Sequence, residues 1–159
     1  MSGGAGTPDC AAGTGRPCAH GNPGGLGGRR VLLVDDDTLV RETHQDLLRQ
    51  WACVVIAAQD AETALQRAAR DAPIDAVVTD YRLPGMSGVA LVEALRVERP
   101  WLPAIIVSGD MSEGWRALAT SDVLTAWLVK PARPERLRSL LLAANCRRVN
   151  WRACLALAG

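Results

Sequence analysis

Lysine is almost absent: Lys130 stands alone against seventeen arginines, directly before Pro131 and after the apolar run Trp127-Leu128-Val129. A compact ammonium on a flexible stem makes a point contact to a carboxylate or phosphoryl oxygen, which a planar guanidinium does less well. Long apolar runs are missing too. No stretch approaches the roughly 18 residues that cross a bilayer, and the chain opens with neither the basic start nor the apolar core of a secretory signal. Excess charge of one sign is also lacking, because the net charge is +1; nothing electrostatic favours nucleic acid or an anionic membrane. The five cysteines (Cys10, Cys18, Cys53, Cys146, Cys154) are an odd number at irregular spacings. Without a CxxC-type pair, Cys10, Cys18 and His20 do not read as a zinc site. A reducing cytosol is the simplest context for such thiols. No GxxxxGK[ST] occurs, which excludes a P-loop.

What remains is a chain of 159 residues, 48% hydrophobic, enough for one ordinary domain with tails. Residues 1–28 hold ten of the fifteen glycines and three prolines, a composition that cannot offset its ordering entropy and reads as a leader or linker. From Arg29 to Asn145 the composition is that of a folded domain, and Cys146–Gly159 is a tail or a short extra helix. Short apolar, β-rich runs begin near Val31, Cys53, Asp75, Ala104 and Thr125. Between them, helical periodicity covers Thr38–Trp51, Asp60–Arg70 with Asp60 as N-cap, Gly88–Arg99, Met111–Thr120 and Pro134–Asn145. Cys53 opens an apolar run and reads as a buried thiol.

Five strands alternating with five helices predict an α/β doubly wound parallel sheet covered on both faces. Ligands of such sheets bind beyond the carboxyl ends of the strands, at a switch point. Four polar clusters fall at those ends: Asp35-Asp36-Asp37, Asp80, Ser108 and Lys130. Crowded carboxylates repel unless something positive intervenes. An all-oxygen set favours a hard cation such as Mg²⁺, and an ammonium reaches the same place. Carboxylate nucleophile, cation, hydroxyl and ammonium together suit in-line phosphoryl transfer onto an aspartate.

Val34-Asp35-Asp36-Asp37, the segment Val78 to Gly88, Ile106-Val107-Ser108-Gly109 and Val129-Lys130-Pro131 resemble the receiver domain of two-component response regulators. Order and spacing agree over residues 29–145: Asp36 to Asp80 is 44 positions, Asp80 to Ser108 is 28 and Ser108 to Lys130 is 22. The resemblance implies a five-stranded, flavodoxin-like sheet in the order 2-1-3-4-5. It makes Asp80 the phospho-acceptor, served by a sensor histidine kinase or histidine phosphotransfer protein. It makes Asp36, Asp80 and the backbone carbonyl of Arg82 ligands of Mg²⁺ (or Mn²⁺), with Asp35 acting through water. Lys130 would pair with Asp80 and then with its phosphoryl group, across a cis Lys130-Pro131 peptide. Ser108 and Trp127 occupy the positions of the hydroxyl and aromatic switch residues, although Trp127 is larger than the usual ring and a fixed packing role is the alternative.

The resemblance further implies a cytoplasmic signalling phospho-acceptor rather than an enzyme, switching the face built from the fourth helix, fifth strand and fifth helix, with homodimerisation through that face. Only fourteen residues follow Asn145, so a single-domain regulator, a relay shuttle or a piece of a hybrid kinase is expected rather than a direct DNA binder. Arg82 is placed either to slow water attack on an acyl phosphate or to lie in a solvated loop. A haloacid-dehalogenase-like phosphatase is an alternative, because Asp35-Asp36-Asp37-Thr38-Leu39 approximates its DxDGT opening, but Thr38 comes one position early and only Glu135 follows the lysine. A receiver that binds partners without phosphorylation is the third reading. His44 reads as a core-edge residue of the first helix, Asp37 as that helix's cap, and Tyr81 as a shield of the acceptor loop. Trp51, Trp101 and Trp115 read as packing or surface anchors, while Gly85 and Gly88 serve tight turns and close backbone approach.

Overall fold

The computed structural model describes residues 25–70, 73–109 and 124–144. The helix expected over Met111–Thr120, Trp115, residues 1–24 of the leader and the Cys146–Gly159 tail lie outside the described residues. Five strands form one parallel sheet: β1 (Arg30–Val34), β2 (Val54–Ala58), β3 (Ala76–Asp80), β6 (Ala104–Ser108) and β7 (Thr125–Val129). Their order is β2-β1-β3-β6-β7, which is the expected 2-1-3-4-5 once a small hairpin is set aside. That hairpin, β4 (Arg82–Leu83) against β5 (Met86–Ser87), is antiparallel and too short to leave a periodic signal in the sequence.

The helices α1 (Thr38–Gln50), α2 (Ala61–Arg70), α3 (Gly88–Glu98) and α4 (Pro134–Ala143) cover both faces. Alternation along the strands decides which side chain meets which helix. Val31, Leu33, Val78, Val107 and Leu128 join Leu48 of α1 and Leu137, Leu140 and Leu141 of α4 in one core. Leu32, Val34, Val77 and Ala104 join Ala64 of α2 and Leu91, Val92 and Leu95 of α3 in the other. Strands buried on both sides must be apolar throughout, which explains the uninterrupted runs; every residue of β3 and β6 is buried.

Local chemistry sets the helix ends. Asp37 accepts from the amides of Leu39 (2.9 Å) and Val40 (3.1 Å) and caps α1. Asp60 accepts from the amide of Thr63 (2.7 Å) at the start of α2, and Ser87 accepts from the amide of Ala90 (3.2 Å) at the start of α3. Helix α1 stops one residue before the expected Trp51, which is its C-cap; α3 stops at Glu98 and α4 at Ala143. The end of α1 is a Schellman motif. The Ala52 amide donates to Arg49 O (2.8 Å), the Cys53 amide donates to Leu48 O (3.0 Å), and Ala52 takes φ 60°.

The last residues of the segment read as a leader touch the folded part. Leu26 is 3% exposed and packs in the core with Leu48 and Cys53, and the Gly28 amide donates to Ala52 O (2.8 Å). Glycine-dominated composition hides a single leucine, and one buried leucine is enough to draw the chain onto the fold. Cys53 is buried, and burial pushes its thiol pKa up. Among the described residues no helix is long and apolar enough to cross a membrane.

Candidate functional site

The strand order reverses between β1 and β3: the chain runs from β1 outward to β2, then returns to lay β3 on the other side of β1. Loops leaving the two strands part there and open a crevice at their carboxyl ends. Asp35 and Asp36 follow β1, Asp80 closes β3, Ser108 closes β6, and Lys130 follows β7. The register brings them level. Asp80 pairs with Val107, Ser108 pairs with Val129, and the Lys130 amide then donates to Ser108 O at 2.8 Å.

One oxygen from each of Asp35, Asp36 and Asp80 lies within 4.8 Å of the others. The Lys130 ammonium donates to Asp80 Oδ2 at 2.6 Å and stands 3.5 Å from Asp35 Oδ2. The other Asp80 oxygen accepts from the Arg82 amide at 3.3 Å, while Asp35 Oδ1 accepts from the Asp37 amide at 3.0 Å. Asp35 and Asp80 are buried (2% and 8% exposed), and Asp36 opens to solvent. Burial raises the Asp35 pKa against the lowering influence of Lys130 and of the Asp37 amide, with the Asp80 charge adding to the rise. For Lys130, burial works downward, but its hydrogen bond to Asp80 and the charges of Asp35 and Asp80 together hold its pKa above the ordinary value.

Three carboxylates against one ammonium leave a local excess of negative charge, and the donors are all hard oxygens. That set fits a divalent cation such as Mg²⁺.

Backbone approach is as specific as charge. The Gly88 amide donates to Tyr81 O (2.8 Å), and a Cβ at residue 88 would run into the carbonyl oxygen of Asp80. Gly85 takes φ 77° in the hairpin turn. The Lys130-Pro131 peptide is cis, as expected. Ser108 is buried at the crevice floor (3% exposed). Asp35, Asp36, Asp80, Ser108 and Lys130 are thus gathered at one end of the sheet, and the Arg82 backbone joins them through its amide.

These aligned motifs match the response regulator receiver domain family over residues 31–142. The chain belongs to that family. The receiver domain is 32% identical over 142 residues to the two-component response regulator ORR1 of Oryza sativa subsp. japonica, a match that covers 82% of this chain and 60% of ORR1. It is 35% identical over 114 residues to the transcriptional regulatory protein AruR of Pseudomonas aeruginosa, covering 69% of this chain and 46% of AruR. The chain therefore spans only about half the length of these curated relatives. Among solved structures, the chemotaxis protein CheY4 of Vibrio cholerae superposes with a TM-score of 0.63 at 29% identity, over 69% of this chain and 92% of that one. A receiver domain protein from Clostridium thermocellum superposes at 0.68 and 23% identity, covering 76% of this chain and 96% of that one, and speaks for the fold alone.

Two features of the receiver site were not legible from the motifs. Arg41, one turn into α1, donates to Asp35 O at 2.7 Å and to Thr38 Oγ1 at 3.3 Å, tying the acidic loop to the helix behind it. Its sequence signal, an arginine four residues after the capping Asp37, is shared by many solvated helices. Tyr81 shields more than its own loop, because its ring lies 5.7 Å from that of Trp127, tilted by 49°. The Trp127 indole N–H is buried and has no acceptor among the described residues. His44 is buried as the core-edge reading expects; burial lowers its pKa, and the charge of Lys130 lowers it further. Trp51 packs against the core and Trp101 is 70% exposed.

Proposed function

We propose that Asp80 accepts a phosphoryl group from a phosphohistidine of a sensor histidine kinase or histidine phosphotransfer protein, and that the acyl phosphate then switches partner binding. The observation that carries this reading is the Lys130 ammonium 2.6 Å from Asp80 and 3.5 Å from Asp35, beside three converging carboxylates. A carboxylate oxygen of Asp80 attacks phosphorus, the phosphorus–nitrogen bond breaks, and the imidazole leaves with its electron pair. The Arg82 amide holds one oxygen of Asp80 and Lys130 the other, so the nucleophile is oriented before the donor arrives. Lys130 then follows the charge onto the transferred group, and Ser108 offers its hydroxyl to a phosphoryl oxygen.

Asp36, Asp80 and the Arg82 carbonyl are the proposed direct ligands of Mg²⁺ (or Mn²⁺), with Asp35 acting through water. When bound, the cation supplies neutralisation of the charge that builds on the phosphoryl oxygens. Dephosphorylation by water makes the domain a self-resetting acceptor, not an enzyme with a separate substrate. A cytoplasmic location and phosphorylation-dependent pairing through the β7–α4 side complete the proposal. No feature of the described site favours the phosphatase or the phosphate-independent alternative.

Mass spectrometry of the full chain with Mg²⁺ and acetyl phosphate tests it. The expected result is one phosphoryl group on the wild type, none on Asp80→Asn, and strongly slowed uptake in Lys130→Ala. Equal labelling of Asp80→Asn would refute the assignment.

A further inference from the structure

Asp80 and Tyr81 are neighbours in the chain but point to opposite faces of the sheet. Asp80 continues the alternation of Ala76 and Val78 toward the α1 and α4 side, where Lys130 meets it. Tyr81 continues that of Val77 and Thr79 toward the α2 and α3 side. Trp127 alternates with Ala126 and Leu128 of the first core and so faces the same side as Tyr81. Between them stands β6, whose Val107 carbonyl accepts the Tyr81 amide at 2.8 Å and whose Ile106 pairs with Trp127. The Tyr81 carbonyl accepts from Gly88, so its backbone is tied to β6 on one side and to the start of α3 on the other.

We infer that Tyr81 is a positioning residue for Trp127, its ring contact holding the indole in the resting orientation and giving way when Asp80 is loaded. Two observations carry this: the tilted ring pair at 5.7 Å and the buried indole N–H, which has no acceptor among the described residues. A buried unpaired donor costs about what an aromatic pair contributes, so the resting orientation of Trp127 is held against an opposing term of its own size. Such a side chain is poised rather than locked, and among the described residues the Tyr81 ring is the aromatic contact that opposes release. Loading of Asp80, the residue directly before Tyr81, tips that balance, and the indole then turns toward an acceptor. The identity of residue 81 thereby sets how the state of residue 80 is read at β7. The inference rests on the proposed function only in taking phosphorylation of Asp80 as the driver; the resting contact is independent of it.

The test labels the full chain with 5-fluorotryptophan, which gives five ¹⁹F signals for its five tryptophans, and Trp127→Phe assigns the relevant one. In the wild type, Mg²⁺ with beryllofluoride moves the Trp127 signal. In Tyr81→Leu, without beryllofluoride, that signal already lies toward the moved position, with the released population raised about two- to tenfold for loss of one ring pair. Tyr81→Phe keeps the ring and behaves as wild type. A resting Tyr81→Leu signal at the wild-type position overturns the inference, as does a Tyr81→Phe signal displaced like that of Tyr81→Leu. A measurement on the wild type guards against misfolding of the leucine variant. The ¹⁵N-labelled Trp127 indole proton shifts downfield, as a donor gaining an acceptor does, when mass spectrometry or ¹⁹F detection of bound beryllofluoride reports the site loaded. An unmoved proton at a loaded site also overturns the inference. Failure to load Asp80 at all counts against the proposed function instead, and the resting comparison of Tyr81→Leu with wild type still decides this one.

Discussion

A single ammonium facing three carboxylates dominates the chemistry at the scale of residues. Because Lys130 touches two buried acids at once, its loss leaves Asp35 and Asp80 uncompensated, which is costlier than the pair's own net contribution. His44 shows the same physics from the other side. Buried and exposed to the Lys130 charge, it resists protonation, so its native pKa lies below the ordinary 6.5. As pH falls below that value the unfolded chain takes up the proton first and binds more protons than the native state, so stability drops through the window beneath 6.5 and is fully present above it. Urea midpoints taken at about pH 7.5 and pH 5.5 should fall more for the wild type than for His44→Leu; equal falls would remove His44 from the account. Gly88 is constrained by space instead of charge. Gly88→Ala must push the Asp80 carbonyl away, which should cost about 1–3 kcal/mol in denaturation experiments and slow acceptor loading as well.

At the scale of elements, helix termini carry the information that periodicity lacks. Asp37 does two jobs: its side chain caps α1, and its amide holds Asp35 in the site. The acidic triplet is thus one helix cap joined to one functional pair, which is why its third member is not a ligand candidate. The other end of α1 is less well served. Ala52 occupies the left-handed position of a Schellman motif at φ 60°, where an L-residue costs about 1–2 kcal/mol. Glycine removes that strain and gives back about 0.5–1 kcal/mol as extra freedom of the unfolded chain. Strain relief is the larger effect, so Ala52→Gly should stabilise the domain by about 0.5–1 kcal/mol in chemical denaturation. A destabilised variant would mean that the alanine methyl has packing value beyond its backbone cost.

For the whole molecule, the switch point between β1 and β3 would make the proposed metal binding and folding one equilibrium. The proposed ligands Asp36 and Asp80 are 44 residues apart in sequence, so the unfolded chain offers no comparable site. Mg²⁺ should raise the unfolding free energy with concentration, by about 2.7 kcal/mol at one hundred times its dissociation constant, as denaturation curves would show. Asp36→Asn should abolish that increment while leaving the metal-free protein as stable or slightly more so, because it relieves repulsion among the acids. Persistence of the full increment in that variant would place the cation elsewhere.

How much of this was legible follows from the range of each interaction. The parallel sheet and the gathering of Asp35, Asp36, Asp80, Ser108 and Lys130 were readable, because strands buried on both faces leave continuous apolar runs and put polar residues at their ends; the strand order followed only from the family resemblance. The cap of α1 was readable because its partners lie two and three residues away. The role of Leu26 was not, since nothing local distinguishes a buried leucine in a glycine-rich stretch from an exposed one. Nor were the hold of Arg41 on the Asp35 carbonyl or the meeting of Tyr81 with Trp127 across β6; close approach at Gly88 was expected, but not that its partner is the Asp80 carbonyl. By itself the sequence determined which strands and helices form and which groups crowd the crevice, through local pattern and alternation. Only the tertiary structure decided the distances, the burial and the orphaned indole N–H, because these depend on how side chains remote in the chain fill one shared space.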